Sequence, residues 1–317
     1  EIGWQVDAAE IISGNKLDQL GAKEFARVVR DKKIFGRLKP EHKLKIIKEL
    51  RAQKIYTAMI GDGVNDLPAI KEADLGIAME EGSAVTKEVA DIILLKNRFS
   101  LLPKIFNEGN KVINTVGAIA KLFLTKNFLI IYLGLFSMLF LLEFPLTPRR
   151  VSLMNIFAIG LPSLIIAWAN ENIEPYKNFM LDLFTFVGIS GLLIAISGYI
   201  GFYLSEGIAN IKHVESENVM IAIMTVLSIA NFYAVVINRK ERKKLQYILY
   251  GCLLLLGYFV LLSLRSENML VSNIRMFYEI VNLHRQSWDL VWIVGLGSSI
   301  LLLFIQKIRG WLLTRQQ

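Results

Sequence analysis

Residues 59–79 read MIGDGVNDLPAIKEADLGIAM. An apolar strand leads into Gly61-Asp62-Gly63, a helix starts near Asn65, and a second apolar run follows at Leu75–Met79. Two acids, Asp62 and Asp66, therefore sit on the turn at the carboxyl end of the first strand. In an open α/β sheet that crevice is where ligands bind. Gly61 and Gly63 allow a tight turn and close backbone approach. Asp62 offers a hard oxygen to Mg²⁺, an ion that keeps several waters and pairs with phosphate oxygens. Asn65 and Asp66 lie three and four residues on and can turn back toward the same point. A plain Gly-Asp-Gly turn, with Asp66 as a helix cap, fits the same residues.

The surrounding residues alternate strands with helices. Gln19–Arg30 has helical spacing, Ile34–Gly36 is a short strand, and Pro40 starts a helix that runs to about Ala52. Ile55–Ile60 reads as a strand, Val64–Glu72 as a helix, Ser83–Ala90 as a short helix and Ile92–Leu95 as a last strand. This order implies a parallel, doubly wound sheet. In the stretch FGRLKPEHK, residues 35–43, Lys43 lies on the first turn of the Pro40 helix. So placed, it can face the loop after the next strand and neutralise a phosphoryl oxygen. Taken by itself it is one solvated lysine among many.

The rest of the chain is of another kind. Of 317 residues 54% are hydrophobic, and the mean hydropathy is +0.45, too apolar for an ordinary soluble protein. Residues 1–113 are nearly balanced in charge, and most of the net +8 lies between hydrophobic runs. That is a membrane-topology pattern, and no basic patch is interleaved with aromatics, so nucleic acid is not an expected partner. Cys252 is the single cysteine and reads as a small buried hydrophobe. The first twenty residues do not form a signal peptide, and Glu1-Ile2-Gly3-Trp4 reads as the tail of a helix already under way.

Six spans are expected, at about 114–142, 151–170, 179–205, 218–238, 245–264 and 289–308. The basic loop 238–244, NRKERKK, belongs on the cytosolic side. With an even span count, residues 1–113 and the tail around Lys307 and Arg309 lie there too. Arg149 and Arg150, on the far side, oppose the rule. Arg265–Asp289 is a long outward loop carrying a surface helix, and Gly188, Gly191, Gly198 and Gly201 permit close helix packing in the third span.

A strand, a P-x-x-K helix start, about twenty residues and then strand-GDGxND resembles the order in haloacid-dehalogenase-type phosphohydrolases. GDGVND followed by LGIAM and a helix entering a membrane resembles the P-type cation-transporting ATPases, specifically bacterial calcium-type pumps. The resemblance covers essentially the whole chain. It implies a partial, doubly wound α/β domain of haloacid-dehalogenase type in residues 1–113, cytosolic, followed by an all-α transmembrane bundle of six helices in 114–317. It also implies Mg²⁺-dependent aspartyl-phosphate chemistry with ATP as substrate. Asp62 then matches the Mg²⁺-holding Asp, Asn65 and Asp66 the neighbouring polar positions, and Lys43 the phosphate-neutralising lysine. In-line phosphoryl transfer needs metal and cationic charge more than acid–base catalysis. The family's DKTGT nucleophile, its TGE loop, its nucleotide domain and its first four helices have no match here. The chain is thus expected to be about the last third of a pump, inactive alone, whose partners are membrane lipid, a transported cation and the missing amino-terminal two-thirds. A prokaryotic plasma membrane is the expected location.

Polar residues within the spans are costly and mark an ion pathway. Residues 155–162, NIFAIGLP, are similar to the family's NLVTDGLP. Asn155, Gly160 and Pro162 match, whereas Ala158 and Ile159 replace its Thr and Asp. Asn127 falls on a family Asn, Ile130 replaces a family Glu, and Asn231 lies where such pumps carry a Glu. The pathway keeps amides and has no carboxylate among these positions, which disfavours two calcium ions bound together. Lys126 either acts as a built-in counter-charge or snorkels to the interface. Asn155 either bridges helices or binds the ion. Two other readings stay open: a membrane-anchored phosphatase of the haloacid-dehalogenase type, and a catalytically dead membrane scaffold.

Overall fold

The computed structural model describes residues 7–140, 144, 146–169, 171–175, 178–237, 244–263 and 269–315. They form two compact units, Glu1–Ile105 and Phe106–Gln317.

In the first unit, β1 (Ile11–Ser13), α1 (Gly14–Leu17), α2 (Ala22–Asp31), β2 (Ile34–Gly36) and α3 (Pro40–Ala52) come first. Then follow β3 (Ala58–Gly61), α4 (Leu67–Glu72), β4 (Leu75–Met79), α5 (Ala84–Val89) and β5 (Ile92–Leu94). All strand pairs are parallel, as alternation of strands and helices requires. They make two small sheets, β1-β2 and β3-β4-β5, in place of one continuous sheet. Ile12, Leu17, Val29 and Ile46 are buried together over the first sheet. Ile77, Met79 and Leu94 form a second core.

Three element bounds differ from expectation for local reasons. The helix expected from Gln19 begins only after the Gly21 cap. The strand expected at Ile55 starts at Ala58, because Lys54 takes a left-handed turn (φ 60°) and Thr57 is tied sideways to Asp74. The helix expected over Val64–Glu72 opens as a 3₁₀ turn, Val64–Asp66, before Pro68 settles into the first turn of α4. The helix tail expected at Glu1–Trp4 lies outside the described residues.

The second unit holds α6 (Leu102–Phe140), α7 (Pro148–Asn155), α8 (Leu161–Ala169), α9 (Phe179–Tyr203) and α10 (His213–Ile237), then α11 (Lys244–Ser263), α12 (Met269–Phe277) and α13 (Arg285–Arg315). Among the described residues, six helical stretches are long and apolar enough to cross a membrane: Phe99–Phe140, Pro148–Ala169, Phe179–Ile208, His213–Val236, Leu245–Ser263 and Arg285–Leu313. The fourth, built on α10, is almost wholly buried by the others. Through Gly160 and Pro162 the chain stays helical: a wide π-helical turn, Ile156–Gly160, joins α7 to α8. Such turns relieve the ladder where Pro162 lacks an N–H.

Arg150 is buried, with Nη1 2.6 Å from Glu217 Oε2 and Nε 3.2 Å from Glu279 Oε2. Its charge is thus balanced on the spot by two carboxylates. A short helix, α12, is present in the loop where one was expected; burial there holds the Arg275 guanidinium below its usual range. Cys252 is exposed on α11, not buried; an apolar side chain on a span can face lipid as readily as protein. The basic loop 238–243 lies outside the described residues.

Candidate functional site

β3 carries the chain to Gly61, and the turn that follows presents Asp62 to solvent. Gly61 is required there: a Cβ would stand 2.4 Å from Asp66 Cβ. Around Gly63 there is more room, the nearest atom to a Cβ being Asn65 N at 3.9 Å. The turn is pinned from the far side. Ser83 N–H donates to Asp62 O (3.0 Å), and Thr86 Oγ1 donates to Gly63 O (3.2 Å). Ser83 also caps α5. Sequence reasoning missed Ser83 and Thr86 in this role; the N-cap pattern Ser-x-x-Thr was their one signal.

Asp66 is buried and turned inward, and Lys43 Nζ lies 2.5 Å from its Oδ1. The first turn of α3 therefore meets the turn after β3, as the spacing suggested. Asp62 and Asn65 are exposed beside them. The site thus pairs a free carboxylate with an ammonium held by a second, buried carboxylate. The exposed Asp62 carboxylate offers hard oxygens of the kind Mg²⁺ accepts, an ion that completes its shell with water and phosphate oxygens. Asp62 would hold such an ion, and the ion would supply charge neutralisation for phosphate oxygens.

In the membrane unit a small cavity of about 10 Å³ has room for one water-sized occupant. Thr125, Lys126, Ser228 and Asn231 line it, with apolar neighbours. Asn231 Nδ2 donates to Thr125 Oγ1 at 3.4 Å, and Thr125 Oγ1 donates to Lys121 O. Asn231 Oδ1 and Asn155 Oδ1 are both buried without a hydrogen-bond partner. Buried acceptors in that state are rare and costly. Of the four expected residues, the fold brings Lys126 and Asn231 together. It leaves Asn155 at the start of the π turn, outside this cavity, and Asn127 exposed on α6. Thr125 and Ser228 were not anticipated, since mid-helix hydroxyls usually bond their own backbone.

Residues 9–74 match the model of the haloacid dehalogenase-like hydrolases. A calcium-transporting ATPase, CtpE, of Mycobacterium bovis is 35% identical over 195 residues, 57% of this chain and 24% of that protein. A calcium-transporting ATPase of Bacillus subtilis is 36% identical over 160 residues, 50% of this chain and 18% of that protein. The similarity is to the P-type ATPases. It extends to Saccharomyces cerevisiae, whose calcium-transporting ATPase 1 is 35% identical over 154 residues, 48% of this chain and 16% of its own length. The chain thus spans no more than about a quarter of the length of these three P-type relatives. With a haloacid dehalogenase-like domain and six membrane-crossing helices, it is an integral membrane protein whose dehalogenase-like domain is cytosolic.

Proposed function

We propose that the chain is the carboxyl-terminal part of an ATP-driven P-type cation pump. In this reading Asp62 holds Mg²⁺, Lys43 neutralises a phosphoryl oxygen, and the six-helix bundle carries part of the cation path. The observation that carries it is the Lys43–Asp66 pair standing beside the exposed Asp62. That arrangement leaves one carboxylate for metal and uses the other to hold the ammonium in place. Gly61 and Gly63 let the backbone approach the phosphoryl group, and Asn65 borders it. The nucleophilic Asp and the ATP site come from the rest of the pump, so this chain alone does not hydrolyse ATP.

The transported ion is Ca²⁺ or another small cation, bound singly. Support comes from the amide oxygens of Asn155 and Asn231, buried without partners. A dehydrated cation needs such oxygens. Lys126 on the cavity wall serves as a fixed counter-charge in place of a second ion. Asn127 faces outward, where helices from the missing part would meet it. The membrane is a prokaryotic plasma membrane.

The test uses the full-length pump, Asp62→Asn and labelled ATP. Phosphoenzyme formation or turnover should fall to background. Normal ATPase activity in the variant would remove Asp62 from the metal site. Phosphatase activity on small phosphate esters without ATP-driven transport would favour the membrane-anchored phosphatase. No phosphoenzyme in the unaltered protein would favour a dead scaffold.

A further inference from the structure

His42 sits next to Lys43 in the first turn of α3 and is 4% exposed. Its Nδ1 accepts the backbone N–H of Lys39, the cap residue of α3, at 3.2 Å. Its Nε2, the donor, lies 2.8 Å from Asp18 Oδ1, one residue past α1. Lys39 Nζ stands 3.6 Å from the other oxygen of the same carboxylate. The bond from His42 holds the Asp18 carboxyl below its usual range. Room for the ring comes from Gly14, where a Cβ would lie 2.8 Å from His42 Nδ1 and 2.6 Å from Arg37 O.

The first four N–H groups of a helix have no partner within it. A buried imidazole is tolerated only when its nitrogens are bonded. Here one ring meets both needs, and it joins α3 to α1 through Asp18. Lys43 hangs from the same turn, its own N–H bonded to Lys39 O at 3.3 Å. Further along, α3 is held by the buried Ile46 and Ile47. Loss of the His42 bonds would therefore loosen the first turn and spare the rest.

We infer that His42, anchored by Asp18, is a positioning residue of the phosphoryl site: it fixes the first turn of α3 so that Lys43 keeps its amine on Asp66. This rests on the reading of Lys43 given above. His42 does not touch the phosphoryl group; it acts through Lys43.

The test reads the geometry of Lys43 directly. The 317-residue chain in detergent is treated with a limiting amine-acylating reagent, and the extent of labelling is read by mass spectrometry at Lys43, Lys45 and Lys48. In His42→Leu, which removes the bonds to the Lys39 N–H and to Asp18, Lys43 should label at least about fivefold faster, the factor that net loss of a single modest hydrogen bond already implies, with Lys45 and Lys48 unchanged. His42→Asn and His42→Gln each return an acceptor to the Lys39 N–H and should bring Lys43 back to within about twofold of the unaltered chain. Gly14→Ala pushes on the ring from the other side and should mimic His42→Leu. A folded His42→Leu chain with unchanged labelling of Lys43 overturns the inference, as does a rise shared equally by Lys45 and Lys48. Should His42→Leu fail to fold, Asp18→Ala, which leaves Nε2 without its acceptor, decides: a selective rise at Lys43 supports the anchor, and no rise overturns it. Failure here leaves the pump reading to its own phosphoenzyme assay.

Discussion

Asp182 at the start of α9 binds two cations from two other helices. Lys121 Nζ on α6 is 2.6 Å from Oδ2, and Arg309 Nη1 on α13 is 2.7 Å from Oδ1. Both cationic side chains are 8% exposed, and the carboxylate 20%. They also flank the Phe186 ring, at 4.9 and 5.1 Å from its centre. Arg309 Nε bonds Gln306 Oε1, and Gln306 Nε2 bonds Ser190 Oγ and Phe186 O. Among the described contacts the carboxylate is the member bonded to both cations, so it is the one the cluster can least lose. Asp182→Asn removes the charge that two buried cations share and should cost about 3–5 kcal/mol. Lys121→Met leaves Asp182 with Arg309 and should cost about 1 kcal/mol. Adding Lys121→Met to Asp182→Asn should recover about 1 kcal/mol, because one of the stranded cations is gone. Thermal and denaturant unfolding of the chain in detergent measures all three. If Asp182→Asn is no worse than Lys121→Met, or if the two substitutions add, the carboxylate is not the hub of the cluster.

In the cytosolic unit, Asp74 accepts the Thr57 N–H at 2.9 Å, and this bond holds its carboxyl below the usual range. Its folded pKa is below the unfolded one, so its contribution is complete above about pH 4 and is lost as pH falls through the folded value. Asp74→Asn should flatten the acid limb of a stability–pH curve, and an unchanged limb would assign that limb to other groups. Gly191→Ala places a Cβ 2.9 Å from Phe128 Cβ and 3.0 Å from the backbone nitrogen of Leu129. Backbone cannot yield as a side chain can, so a loss of about 1–3 kcal/mol is expected in the same unfolding assay; a neutral result would mean that α6 and α9 shift apart freely. If the chain is part of the pump proposed above, Lys126→Ala in the full-length protein should alter the number of ions moved per ATP or the counter-transport, measured in vesicles. Unchanged transport would leave Lys126 as an interfacial lysine.

The parts of the fold legible in the sequence are those where one local signal decides. Pro40 can only begin a helix, and α3 runs over Pro40–Ala52 as expected. LGIAM is a strand at Leu75–Met79, and apolar runs of span length mark the membrane helices. What was less legible depends on partners far away in sequence. β1 is three residues long and exists because β2 pairs with it. The start of β3 is set by Asp74, which ties down Thr57 from seventeen residues further along the chain. Burial of Arg150 needs two acids from other elements.

The same division runs through the candidate sites. Lys126 and Asn127 are neighbours in sequence, and their side chains leave the helix about 100° apart. Only packing decides that Lys126 meets the Asn231 cavity and that Asn127 faces outward. Composition names the amides; it cannot say which have their oxygens satisfied. Asn114 shows the contrast: its amide nitrogen donates to Asn172 O at 3.2 Å and Glu174 O at 2.8 Å, so it staples a loop. Asn155 and Asn231 keep a buried oxygen without a partner. Which of the two an amide becomes is set by the helix or loop packed against it, so only the folded bundle separates them.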